Sequence, residues 1–110
     1  MIKNKIKFSA HIQYPELLQS ECRNWSLYYE SDTATVDSVL ASVWHNWNAH
    51  EGNECEIFWK AKCRSMMVGD FVCVNSQWYR CEEQGWSKVT WNDVYGEEAK
   101  TRKSIDELLK

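Results

Sequence analysis

Only one stretch of this chain carries the period of a long helix, and that stretch dictates what the rest must cover. In "SDTATVDSVLASVWHNWNAHEG", Val36, Val39, Leu40, Val43, Trp44 and Trp47 recur at helical intervals, a stripe that lines one face of a helix of about four turns. The spacing predicts a helix over residues 33–49. Asp32 or Thr33 is placed to cap its first amides and Asp37 to meet the positive end of its dipole, while Gly52 offers a stop. Trp44 and Trp47 lie on the stripe and read as core. His45, Asn46, Asn48 and His50 lie off it or at its fraying end and read as solvent-facing.

Most of the remaining chain has the pattern of strands. In Lys3–Tyr14, Ile6, Phe8, Ala10 and Ile12 take one face of a strand; Lys3, Lys5, Lys7, Ser9, His11 and Gln13 take the other. Tyr14-Pro15 ends that run. Residues 16–25 suit a short helix with Leu17, Leu18 and Cys22 on one side, and "WSLYYES", residues 25–31, an aromatic-rich strand. "CEIFWKAKCRSM", residues 55–66, alternates loosely and reads as extended, with Ile57, Trp59, Ala61 and Cys63 against Glu56, Phe58, Lys60 and Lys62. "VGDFVCV" is almost continuously apolar, as in a central strand buried on both faces. Turn signals at Asn75-Ser76 and Gln84-Gly85 then give a three-stranded meander over 67–74, 77–82 and 86–91. This places Val68, Phe71, Val72, Val74, Tyr79 and Cys81 in or near the core, with Met66 and Met67 as flexible filler. The fold class is α+β: an antiparallel sheet of four to six strands packed against one main amphipathic helix. A chain of 110 residues suits one core, here residues 1–95. Residues 96–110 form a charged tail that Ser104-x-x-Glu107 suits for a short capped helix.

Composition narrows the setting. Seven of the 110 residues are Trp; each buries roughly 150–250 Å², so rings beyond the needs of the core are candidate binding anchors. The net charge of −3 has the wrong sign for a simple nucleic-acid binder and is too small for a DNA mimic. "MIKNKIKFSAHIQY" lacks the apolar stretch of a signal peptide, and no window approaches the roughly 18 apolar residues of a membrane span. The expectation is a cytoplasmic protein with no membrane contact. Its five cysteines are odd in number and would remain thiols in a reducing compartment. Cys55, Cys63, Cys73 and Cys81 are separated by seven, nine and seven residues, none of them a zinc-knuckle spacing. A metal would need Cys73 and Cys81 to face each other across a hairpin and a histidine, His11, His45 or His50, to join them. Burial as small hydrophobes is the simpler reading, so no metal and no cofactor is expected.

The string Ser65-Met66-x-Val68-Gly69-Asp70, followed by an apolar run, Tyr79-x-Cys81 and Gly85-Trp86, resembles the pattern of YodL-like domains, small proteins of phages and conjugative elements. Met67 stands where that pattern has a second Ser, and the match covers residues 55–91. The resemblance implies a small α+β domain encoded by mobile DNA and brings no catalytic residue with it. Read from its residues, the motif is structural. Gly69 suits a turn, Asp70 can accept backbone N–H bonds there, and Tyr79 and Cys81 share the strand face opposite Trp78 and Arg80. With Tyr79 inward, Trp78 becomes the more exposed tryptophan and Arg80 its neighbour.

The sequence offers no catalytic motif. Its glycines, Gly52, Gly69, Gly85 and Gly96, are too scattered for a phosphate loop, no G-x-S-x-G elbow occurs, and Glu82-Glu83 and Glu97-Glu98 read as solvated acids. The chain is not expected to be an enzyme. The first of two binding readings is a small accessory protein of a bacteriophage or mobile element that binds a host protein in the host cytoplasm and inhibits a host defence system. Its candidate contacts are Trp59, Trp78, Arg80, Glu51, Glu54 and Glu56, the acids steering a basic partner surface. The second is single-stranded nucleic-acid binding on an aromatic and basic sheet face: Lys60, Lys62, Arg64 and Arg80 beside Trp59 and Trp78. That reading requires the two basic segments to be neighbouring strands. An aromatic-rich edge strand also suits a homodimer.

Overall fold

The alternating N-terminal segment forms β1 (Ile6–Gln13), the second strand of a five-stranded sheet. The structure, a computed structural model, describes residues 6–31, 35–48, 55–61 and 64–96. β2 (Ser26–Ser31) flanks β1 on one side; β3 (Phe71–Val74), β4 (Gln77–Cys81) and β5 (Trp86–Val89) follow on the other. Every pairing is antiparallel. Four helices complete the described chain: α1 (Gln19–Cys22), α2 (Val36–Asn46), α3 (Glu56–Ala61) and α4 (Trp91–Tyr95). The α+β architecture and the β3-β4-β5 meander are as the sequence predicts. None of the described helices is long and apolar enough to cross a membrane.

Register assigns the faces. Ala10 pairs with Leu27 and Val74, and Val72 with Tyr79, so Phe8, Ala10, Ile12, Leu27, Val72, Val74 and Tyr79 stand on a common first face. α2 supplies Val39, Leu40 and Val43 to the same core, and its C-cap supplies Trp47. Its N-cap is Thr35, in a reciprocal capping box with Ser38, rather than Asp32 or Thr33, which with Gly52 lie outside the described residues. The helix ends at Asn46, where Trp47 N–H turns back to the Trp44 carbonyl. Trp47 has no exposed surface at all and Trp44 is only half-buried. The stripe therefore has one central tryptophan rather than two.

Residues 56–61 correct the extended reading of 55–66. They form α3, because Cys55, Phe58 and Ala61 recur at helical intervals on the core, with Phe58 fully buried. Glu56 and Lys60 meet at 2.9 Å one turn apart, a pairing a helix permits. A short apolar run fits either period until a partner surface selects one.

β3 starts at Phe71 rather than residue 67, because Gly69 turns the chain at φ +99°, so Val68 is 48% exposed and not core. β5 stops at Val89 because Thr90 caps α4, with Asp93 answering in a capping box, where a continuing strand was expected. The β3–β4 turn is the tight one predicted, with Asn75 at φ +47° and Ser76 at φ +73°.

A buried polar network ties these pieces together. Trp47 Nε1 donates to the Tyr14 hydroxyl at 3.0 Å, and that hydroxyl donates to the Arg64 carbonyl. The Arg64 guanidinium lies 4.0 Å from the centre of the Tyr14 ring. It forks onto both oxygens of Glu16 at 2.8 Å and onto Asp70 at 2.7 and 2.9 Å. Asp70, 1% exposed, also accepts from Met67 N–H at 2.8 Å. Arg64 thus holds the 64–70 loop against the β1–α1 corner. Its paired carboxylates hold its pKa well above the ordinary value in spite of burial.

Candidate functional site

The second face of the sheet is where the structure departs most from a simple helix-on-sheet layer. Register puts His11, Gln13, Phe71, Cys73, Trp78, Arg80 and Val89 there. α4 covers one part of it, with Val94 packed on Phe71 and Val89, and Trp78 and Tyr95 flanking. Gln13, which alternation assigns to solvent, is fully buried. Its Nε2 donates to the Tyr14 and Leu17 carbonyls at 2.8 Å each, and its Oε1 accepts from the Tyr95 hydroxyl at 2.9 Å. This satisfied amide couples α4 to the end of β1.

Beside α4 the face opens into a cleft of about 440 Å³, volume enough for a small ligand or several side chains. His11, Cys73 and Trp78 form its floor, Trp91 and Tyr95 one wall, and Arg23 at the end of α1 the opposite rim. The rings make a continuous surface: Trp78 to Tyr95 is 5.4 Å between centroids and Tyr95 to Trp91 is 5.3 Å, normal aromatic contact. Trp91 nevertheless remains 60% exposed. With its amide turned to satisfy both partners, Gln19 accepts from Arg23 Nε and Nη2 at 3.1 Å each. Ser26 Oγ donates to the Arg23 carbonyl at 3.1 Å and lies 2.6 Å from His11 Nδ1. The hydroxyl has one proton, so His11 Nδ1 is the donor of that second bond.

His11 and Cys73 are register partners, yet they do not form an activated pair. His11 is bonded to Ser26, and burial pushes the Cys73 thiol up, only partly countered by the Ser76 N–H. A neutral thiol is a poor nucleophile. Cys73 faces the cleft while Cys81, paired with Trp86, points to the first face. The two cysteines therefore cannot share an ion across the hairpin, and no cluster of three His, Cys, Asp or Glu able to hold a metal occurs among the described residues.

The residues the sequence singles out are dispersed. Trp59 is 56% exposed on α3, stacked edge-on against Phe58, and so belongs to the layer covering the first face. Trp78 stands on the second face and, half-buried against Tyr95, is less open than expected. Arg80 is there too, paired with Glu82 at 2.7 Å. Lys60 is held by Glu56 and Arg64 by Glu16 and Asp70. Glu51, Glu54 and Lys62 lie outside the described residues, as do Lys3, Lys5, His50, Cys63 and the 97–110 tail. Among the described residues, Lys60 thus stands on a helix, Arg64 in the loop that leads to β3 and Arg80 on β4, so these cations do not lie on neighbouring strands. Trp91, Tyr95 and Arg23 escaped the sequence reading, although Thr90-x-x-Asp93 is a helix-start pattern that would have revealed α4. Comparison with protein-family models, curated proteins and solved structures gave no match to this chain.

Proposed function

We propose that this chain is a non-catalytic protein-binding module whose partner docks in the cleft between α4 and α1. One observation carries the reading: a contiguous trio of rings, Trp78, Tyr95 and Trp91, lines a concave surface and leaves Trp91 largely in water. Large rings beside a cleft are the commonest anchors of protein interfaces. The wider setting is a small accessory protein of a phage or mobile element, acting on a host protein in the cytoplasm and inhibiting a defence system. The resemblance of residues 55–91 to YodL-like domains supports it. Single-stranded nucleic acid is the weaker alternative, since Lys60, Arg64 and Arg80 are already engaged by carboxylates. A homodimer through the outer strand β2, where Tyr28 is exposed, is a second mode of association, read by sizing at graded concentrations.

The test is affinity capture from a bacterial lysate, with and without nuclease, comparing the wild type with Trp91→Ala. The expected result is a nuclease-resistant protein, recovered near stoichiometrically with the wild type and lost with the variant. A partner that disappears with nuclease, or that Trp91→Ala retains in full, refutes the reading.

A further inference from the structure

We infer that the cleft takes a carboxylate flanked by an apolar or aromatic side chain on a protein partner, with Arg23 gripping the carboxylate and the Trp78–Tyr95–Trp91 surface receiving its neighbour. This rests on the protein-binding reading above and adds the chemistry of the anchor. The decisive feature is the state of Arg23. Lys7 is within 3.9 Å of Glu30, Lys60 within 2.9 Å of Glu56, Arg80 within 2.7 Å of Glu82, and Arg64 is shared by Glu16 and Asp70. Arg23 faces no carboxylate among the described residues, and Lys88, paired with Tyr79 across the sheet, points to the first face.

Arg23 is also oriented. Gln19, one turn earlier, holds the Nε–Nη2 edge of the guanidinium, which leaves the Nη1–Nη2 edge to make the two parallel bonds a carboxylate accepts. The described residues lining the cleft include no Asp or Glu that would compete for it. One guanidinium without a carboxylate partner among the described residues, across a shared cleft from three rings, matches a single negative charge next to a single apolar group. It does not match a polyanion, whose binding needs a track of cations and would be opposed by a chain of net charge −3.

The test selects peptides from a random displayed library against the full chain, then measures synthetic copies by fluorescence anisotropy. The expected consensus is Asp or Glu next to Phe, Tyr, Trp or Leu. Replacing that acid with its amide, or Arg23→Gln in the protein, should each weaken binding by roughly 10- to 100-fold, the range of a charged hydrogen bond, and the two changes together should cost little more than either. Arg23→Lys should recover only part, since ammonium lacks the fork. Peptides that bind without an acid, or whose affinity ignores Arg23→Gln while Trp91→Ala abolishes it, overturn this inference and leave the protein-binding reading standing. A library that yields no binders, with tight salt-sensitive binding of a single-stranded oligothymidylate instead, overturns both.

Discussion

Arg64 is the residue on which the two views of this chain differ most, as a nucleic-acid contact by pattern and a structural tie by geometry. Arg64→Met keeps most of the stem and removes the guanidinium. Asp70, 1% exposed as a side chain, then keeps only the Met67 N–H, while Glu16, 40% exposed, is already in contact with solvent. Leaving a fully buried charge without its partner costs about 3–5 kcal/mol. Arg64 itself is 33% exposed, so solvent already screens part of its attraction, and about 2–3 kcal/mol is the better figure. The sign with pH follows from Asp70. Burial raises its carboxyl above the ordinary value even with Arg64 present, so the folded chain holds that proton at a pH where the unfolded chain has released it. This group's contribution is then most favourable below its unfolded pKa and declines as pH rises through the folded one. Without Arg64 the decline must steepen. Urea unfolding followed by tryptophan fluorescence should show the Arg64→Met deficit in full at pH 7 and reduced near pH 4.5, with Asp70→Asn in the same background recovering part of it at pH 7. A deficit below about 0.5 kcal/mol at pH 7, the range of an ordinary surface change, would refute the reasoning.

Trp47→Ala should cost about 3–5 kcal/mol in the same assay and Trp44→Ala about half that or less, because only Trp47 is fully enclosed and bonded to Tyr14; equal losses would contradict the assigned core. Ser76→Gly should raise stability by about 0.5–1 kcal/mol, since Ser76 sits at φ +73° in a two-residue hairpin turn where glycine carries no steric cost; a melting temperature that falls would count against that turn. Burial, helped by the charges of Asp70 and Glu82, pushes the Cys81 thiol up to about 11. The native chain should therefore resist alkylation at Cys81 at pH 8 until it is unfolded. Because the folded value is the higher one, stability from this group is intact below the ordinary thiol pKa of 9.0 and falls as pH rises from there toward 11. Mass-mapped alkylation and unfolding at pH 8 and 10 read both effects.

The sequence by itself determined the elements whose period is set by close neighbours. The stripe from Val36 to Trp47, the alternation of Phe8, Ala10 and Ile12, and the turns at Asn75-Ser76 and Gly85 are local signals. Each survives in the fold within a few residues: the helix and the turns because contacts a few positions apart select them, and β1 because its alternation suits a strand with one buried face. Tertiary structure decided everything that depends on which surface a segment meets. Residues 56–61 became a helix when Phe58 found Trp47. Gln13 went inside when α4 closed over the second face. Arg64 became a tie because Glu16 and Asp70, far apart in the chain, converge on it. The cleft shares this origin, since His11, Arg23, Cys73, Trp78 and Trp91 come from five separate segments. Sheet register brings them together, and register is a property of paired strands that no single strand carries.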